Sequence, residues 1–187
     1  MERLVKGIHI LPLHDFIKES YDEQTQAGIY ERISEPAREM LKTVKREDWM
    51  PLALVANVAD ALFKASKDPQ EGYQEVVKSG AAIADYATNT YVRLLIKLMT
   101  PKIMASKWPD IWKKSHNFGV MQCHLESDRM LRMTLSDVAG YTHIGPTAVG
   151  FLTFALKAMN MPDATVMQVM DRYTDHNAGR YEFRITW

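Results

Sequence analysis

Six histidines and one cysteine are the side chains in this sequence that are best suited to bind a metal ion or to act as a nucleophile or base. They are His9, His14, His116, His124, His143, His176 and Cys123. No two histidines lie four residues apart on a predicted helix, which is the spacing of many zinc sites, and a single cysteine forms no cluster. The sequence therefore predicts no metal site.

Cys123 and His124 are adjacent in a segment where apolar and polar residues alternate, as in a half-buried strand. Neighbouring side chains of a strand point to opposite faces, so these two residues do not form a nucleophile–base pair. Cys123 shares the apolar face with Met121 and Leu125, which favours a small buried hydrophobe. The alternative is a reactive or acylated thiol.

Two other segments combine polar groups, namely His14-Asp15 and the loop Tyr141–Gly145. Neither comes with a nucleophile or with a glycine-rich phosphate loop. The helix start at Gly145-Pro146-Thr147 offers backbone N–H groups to an anion, as almost every helix start does. We therefore expect no enzymatic activity.

The methionine content, 12 residues, is high. Flexible thioethers fill irregular gaps in a core and also adapt to varied apolar ligands. The pattern is thus compatible with ordinary core packing and with a pliable apolar pocket. Seven of these methionines lie between residues 116 and 187: Met121, Met130, Met133, Met159, Met161, Met167 and Met170.

The composition is that of a folded globular protein of 187 residues, with equal numbers of basic and acidic residues, 23 each. The absence of a basic block argues against nucleic-acid binding. No apolar run reaches the length of a transmembrane helix, and Pro12, His14 and Asp15 interrupt the short apolar stretch that a signal peptide would need. With one cysteine and no disulfide, we expect a cytoplasmic protein.

Helical signals dominate the first two thirds of the chain. Apolar residues recur with helical spacing, and the pairs Asp68-Pro69 and Thr100-Pro101 are typical helix starts. The predicted helices begin at Pro12, at Gln24 (to Ile33), after the cap Ser34 (to about Val44), after Asp48, after Asp68 and at Pro101, with a break at Trp108-Pro109.

The period then changes to that of strands. Two alternating segments around a turn at Glu126–Asp128 predict one hairpin, and Thr165–Thr174 with Arg180–Trp187 predict a second. A nearly all-apolar helix, Thr147–Met159, separates the hairpins. The fold class is therefore α+β, with an N-terminal helical layer, about 1–115, packed on a small antiparallel sheet, about 116–187, of the order strand–strand–helix–strand–strand. We expect one domain, 1–187.

This order of elements resembles a bacterial family of unknown function with many members from gliding soil bacteria. The resemblance rests also on the segments Val5–Ile8, Trp112–Gly119, Gly150-Phe151 and Arg184–Trp187. That family is similar to a superfamily that includes haem nitric-oxide-binding (H-NOX) domains, four-vinyl-reductase-type domains and TRAPP vesicle-tethering subunits. The resemblance implies a fold that buries a ligand or acyl chain between helices and sheet.

The resemblance also raises haem, because H-NOX domains bind it with a helix-borne histidine and a Tyr-x-Ser-x-Arg motif. This chain has no such motif and no histidine between Asp15 and Ser115, so His116 is the nearest substitute. We therefore expect no cofactor, and we interpret His116 as a hydrogen-bonded residue at a helix end. A haem-based gas sensor is the least favoured reading.

The sequence thus favours a non-enzymatic ligand-binding or regulatory module, with a role in signalling, that takes an apolar small molecule or the acyl chain of a lipid. We expect the pocket between the helix Tyr86–Leu98, the helix Phe151–Met159 and the sheet. The predicted pocket residues are Tyr86, Tyr91, Leu95, Met121, Cys123, Phe151 and Phe154.

The alternative function is a protein-interaction or scaffold subunit without a small ligand, which would engage another chain through an apolar, non-concave surface on Ala81–Tyr91. Small residues around Ser79–Ala82 would let a second helix approach closely. This patch predicts a homodimer, or else the seat of another helix of the same chain.

Overall fold

The architecture is α+β, as the sequence predicts. The computed structural model describes residues 1–88, 96–97, 99–139, 141, 143–170 and 179–187. In these residues a short strand and a 3₁₀ turn, Gly7–His9, precede the helices. The elements are β1 Leu4–Lys6, α1 Leu11–Ser20, α2 Glu23–Arg32, α3 Glu35–Thr43, β2 Trp49–Pro51, α4 Leu52–Phe63, α5 Pro69–Ala87, α6 Pro101–Ser115, β3 Val120–Ser127, β4 Met130–Ser136, α7 Ile144–Ala158, β5 Thr165–Met170 and β6 Tyr181–Thr186.

Side-chain caps fix the starts of three helices. Asp22 accepts a hydrogen bond from the Thr25 N–H, Asp68 accepts one from Gln70, and Thr100 accepts one from Ile103. Each cap satisfies a backbone donor that the first turn of a helix leaves without a partner. Of these three caps, Asp68 and Thr100 coincide with the starts predicted from the sequence.

Two local predictions are wrong. Asp48 does not cap the next helix, because Trp49–Pro51 pairs with β1 as an antiparallel strand before α4 begins at Leu52. The predicted break at Trp108-Pro109 is also absent, since Pro109 lies inside the continuous helix α6.

The four-stranded sheet is antiparallel throughout, in the order β3-β4-β6-β5. Helix α7 connects the two hairpins, as predicted. The first hairpin turn is tighter than expected, because Met130 pairs with Ser127 after an irregularity at Leu125. On the face that packs against the helices, the central strands place fully buried side chains: Leu131, Met133, Leu135, Tyr181, Phe183 and Ile185.

Helices α5 and α7 pack in direct backbone contact. A Cβ atom built on Gly80 would lie 2.1 Å from the Thr147 carbonyl oxygen, and one built on Gly150 would lie 1.8 Å from that of Val77. The small-residue patch on α5 therefore seats a helix of the same chain, which was the alternative left open by the sequence. The homodimer stays a prediction, but Gly80 no longer supports it.

No helix among the described residues is long and apolar enough to cross a membrane.

Candidate functional site

A cavity of about 90 Å³ lies between α5, α6, α7 and the sheet. Its walls are almost entirely apolar and aromatic, and none of the described lining residues is Asp, Glu, Lys or Arg. The lining residues are His9, Ile83, Trp108, Ile111, Trp112, Ser115, His116, Met121, Met133, Tyr141, Ile144, Thr147, Ala148, Phe151 and Leu152.

His116 forms one wall and is fixed at the C-terminal end of α6. Its ring stacks on that of Trp112, with 3.6 Å between centroids and 3° between planes. Trp112 is itself held by a 2.8 Å hydrogen bond from its Nε1–H to the Phe118 carbonyl. These contacts hold the ring of His116 against that of Trp112.

His9 reaches the same wall because β1 pairs beside the end of α6. Val5 forms a bridge with His116, and the Leu4 N–H donates to the side chain of Asn117 over 2.7 Å. The 3₁₀ turn that follows β1 then places the ring of His9 with its centroid 4.9 Å from that of His116. Two histidines far apart in sequence thus become neighbours.

Burial keeps both imidazoles neutral. Loss of hydration lowers the pKa of His9 to about 4. The same cause, together with repulsion by a charged His9, lowers the pKa of His116 well below its usual 6.5. His9 keeps some accessible surface although it lies deep in the protein, and that surface faces the cavity.

The structure brings together some of the residues predicted for the pocket. Met121 and Phe151 line the cavity. Cys123 is half-buried, packs beside the core and does not line the cavity, nor does Phe154. Tyr86 is 44% exposed on α5. Tyr91 and Leu95 lie outside the described residues.

The sequence prediction missed the aromatic and polar side of the cavity, formed by Trp108, Trp112, His9, His116 and Tyr141. The segment Trp112–Gly119, which contributes to the family resemblance, lies in this region. Nothing in the spacing of His9 indicated that it would meet His116, since their contact depends on the pairing of β1.

Two further histidines have partners elsewhere. His14 Nδ1 lies 2.9 Å from the Tyr30 hydroxyl. His143 Nε2 lies 3.4 Å from Asp60 Oδ1, and its ring stacks on Phe63. Among the described residues, no group of three His, Cys, Asp or Glu side chains is placed to hold a metal ion.

Comparison with solved structures identifies the architecture. The H-NOX protein of S. oneidensis in the Fe(II)NO ligation state has a TM-score of 0.71 and 12% identity, covering 96% of this chain and 97% of that chain. The chain has the H-NOX fold. The unliganded Fe(II) H-NOX protein of K. algicida has a TM-score of 0.69 and 10% identity, covering 97% and 95%. The H-NOX protein of Shewanella woodyi in the Fe(II)CO state has a TM-score of 0.64 and 14% identity, covering 96% and 93%.

These likenesses are confined to structure. No protein-family model matches the sequence, and no curated protein matches it. At 10–14% identity, the three neighbours establish the H-NOX fold alone.

As bounded by the described residues, the cavity of this H-NOX fold does not fit a haem. Pockets for cofactors and similar ligands measure roughly 300–1,000 Å³, whereas this one measures about 90 Å³. The side chains of Trp108, Trp112 and Phe151 are among those that bound this space. No described lining residue is a lysine or arginine that would pair with a propionate, although His116 Nε2 would be chemically competent as an iron ligand.

Proposed function

We propose that this protein is a non-enzymatic sensory module that binds a compact, largely apolar molecule in the cavity next to His9 and His116. The observation that carries the proposal is an apolar cavity with polar groups gathered at one side. Ligand sites commonly combine apolar walls with a few placed polar groups.

The location of the cavity supports a sensory role. Its walls come from α5, α6, α7 and two strands of the sheet, so a bound molecule would contact both layers of the protein. Occupancy would then change how strongly the layers pack, which is the property that a sensor transmits to a partner. Neighbours of the same fold were solved in the Fe(II)NO ligation state in one case and in the Fe(II)CO ligation state in another.

The cavity volume favours a compact ligand over a long acyl chain. An apolar cavity of about 150 Å³ in another protein accommodates benzene. A space of about 90 Å³ accommodates less than that. We therefore narrow the small molecule or acyl chain expected from the sequence to a molecule of a few non-hydrogen atoms.

Dissolved xenon tests whether the cavity takes up an apolar guest, because xenon enters dry apolar cavities. We expect saturable NMR shifts of the Met121 and Met133 methyl groups, which lie in the lining. Ala148→Ile fills the space from α7 and should abolish the shifts, whereas Ala27→Ile on the exposed face of α2 should not. Unchanged methyl signals in the folded wild-type protein would contradict the proposal.

Protein interaction is the second candidate function, favoured by the edge strand β5. Met167 and Val169 are 57% and 45% exposed there. Apolar side chains on an edge strand are common at sites where another chain adds to a sheet. If Met167→Lys abolishes capture of a partner while xenon binding persists, the two functions coexist in one molecule.

A further inference from the structure

Three groups that line the cavity have hydrogen-bonding capacity that no described residue uses. Within the part of the chain that the structure describes, no hydrogen-bond partner is found for the imidazole of His9, for Nε2 of His116 or for the hydroxyl of Tyr141, and each residue lines the cavity. His116 and Tyr141 are only 7% and 5% exposed. Polar groups that face an otherwise apolar cavity bond to whatever fills it, so three such groups around one cavity indicate a polar atom that belongs there.

The hydrogen-bond acceptors around Ser115 favour one position for the proton of His116. The Ser115 hydroxyl donates to the carbonyl oxygens of Ile111 and Trp112, over 3.0 and 3.2 Å. A hydroxyl has one proton, and we assign it to one of these carbonyls, which can only accept, so that toward His116 Nδ1, at 2.9 Å, Ser115 acts as the acceptor. Nδ1 therefore holds the proton of this neutral ring, and Nε2 offers a bare lone pair to the cavity.

The lone pair of His116 Nε2 requires a hydrogen-bond donor on the ligand. A molecule with only acceptor atoms would leave Nε2 without a partner in a low-dielectric site, which is unfavourable. The hydroxyl of Tyr141 and the imidazole of His9 can each bind the same polar atom, since a phenol donates or accepts and a neutral imidazole has one group of each kind.

The charge of the site restricts the ligand further. No described lining residue is acidic or basic, and both histidines are neutral. An ion would lose its hydration without gaining a counter-charge.

We propose that the ligand is an uncharged, compact molecule with an apolar body and one hydroxyl or N–H group. This group donates a hydrogen bond to His116 Nε2, while Tyr141 or His9 forms a hydrogen bond with its oxygen or nitrogen atom. This inference rests on the proposed function and specifies the chemistry of the same site. The class includes short alcohols and small neutral amides.

Isopropanol, acetone and isobutane have similar sizes, so comparing how tightly they bind separates hydrogen-bond donation, hydrogen-bond acceptance and apolar contact. Isopropanol can donate and accept, acetone can only accept, and isobutane can do neither. We expect isopropanol to bind about fivefold more tightly than acetone, which corresponds to about 1 kcal/mol, with methyl shifts of Met121 and Met133 as the readout. This comparison uses wild-type protein and does not depend on a variant that folds.

Two variants test whether His116 causes the tighter binding of isopropanol than of acetone. His116→Phe retains a ring to stack on Trp112 and should reduce the isopropanol preference to parity, while His124→Phe on the exposed side of β3 should leave it intact. Equal binding of isopropanol and acetone in the wild type, or a preference that survives in His116→Phe, would overturn the inference. Methyl shifts with isobutane or xenon would then still uphold the proposed function. If no probe binds and the cavity holds ordered water only, both proposals fail.

Discussion

The imidazoles of His9 and His116, which line the cavity, contribute to a dependence of stability on pH. In the unfolded chain each has a pKa near 6.5, whereas burial lowers the pKa of His9 to about 4 and also lowers that of His116. Below pH 6.5 the unfolded state binds more protons than the folded state, so stability falls as the pH drops from about 6.5 toward 4. The lowered pKa of His9 alone should reduce the free energy of unfolding by about 2 kcal/mol at pH 5 relative to pH 7.5.

Urea unfolding at pH 7.5 and pH 5 measures this effect. The variant His9→Phe should lose less stability between the two pH values than the wild type. His124→Phe, at an exposed position, should behave as the wild type does. A wild type that is equally stable at both pH values would refute the assignment of neutral, buried histidines.

Cys123 should be a slow nucleophile. Burial raises the pKa of its thiol to about 12, so almost none is thiolate at neutral pH. We expect its reaction with a disulfide reagent at pH 8 to be slower by at least about tenfold in the native protein than in urea-unfolded protein. A short peptide that contains the same cysteine provides the matched rate for full exposure. Native and unfolded rates that agree would favour the reactive thiol that the sequence left open.

At the scale of elements, the contact of α5 with α7 depends on two glycines. A side chain on Gly150 would collide with the Val77 carbonyl, a backbone atom that cannot move alone. We expect Gly150→Ala to destabilise the protein by about 3 kcal/mol, although alanine favours a helix. Gly28→Ala is the control, because a Cβ there meets only the mobile end of Arg32, 3.2 Å away, and α2 should become slightly more stable.

The same contact allows a test of the homodimer prediction. Gly80 faces Thr147 of its own chain, so Gly80→Glu should unfold the protein rather than release a folded monomer. Far-UV circular dichroism and sedimentation distinguish the two results. A folded, monomeric Gly80→Glu variant derived from a dimeric wild type would mean that α5 pairs between chains.

Elements with a strong local pattern were predictable from the sequence. The alternation in β6 placed Tyr181, Phe183 and Ile185 on one face, and all three are buried. The failures arose where tertiary contacts override local signals. Trp49–Pro51 becomes a strand only because β1 lies beside it, and Pro109 is accommodated within α6. The cavity was predictable in part for a related reason, since Met121 and Phe151 belong to patterned elements whereas His9 depends on a long-range pairing.

At the scale of the whole molecule, the fold suggests an iron-containing ligand, whereas the cavity suggests a smaller one. The neighbours of the H-NOX fold hold Fe(II). In this chain the described interior between α5, α6, α7 and the sheet contains aromatic side chains that bound a cavity of about 90 Å³. A shared fold does not carry a shared ligand, because the ligand is selected by the side chains of the site. We interpret the protein as a member of this architecture whose interior suits a much smaller molecule.

Haem reconstitution tests this interpretation directly. Purified protein mixed with equimolar haem should show no sharp Soret band of histidine-ligated iron, because a porphyrin exceeds the cavity and no described lining residue would pair with its propionates. The H-NOX protein of S. oneidensis, treated identically, provides the positive control. His116 is the candidate iron ligand in this test, since its Nε2 faces the cavity while its Nδ1 contacts Ser115. A stoichiometric Soret band that disappears in His116→Ala, but persists in His124→Ala, would show that the aromatic wall opens to admit haem and would refute the smaller ligand.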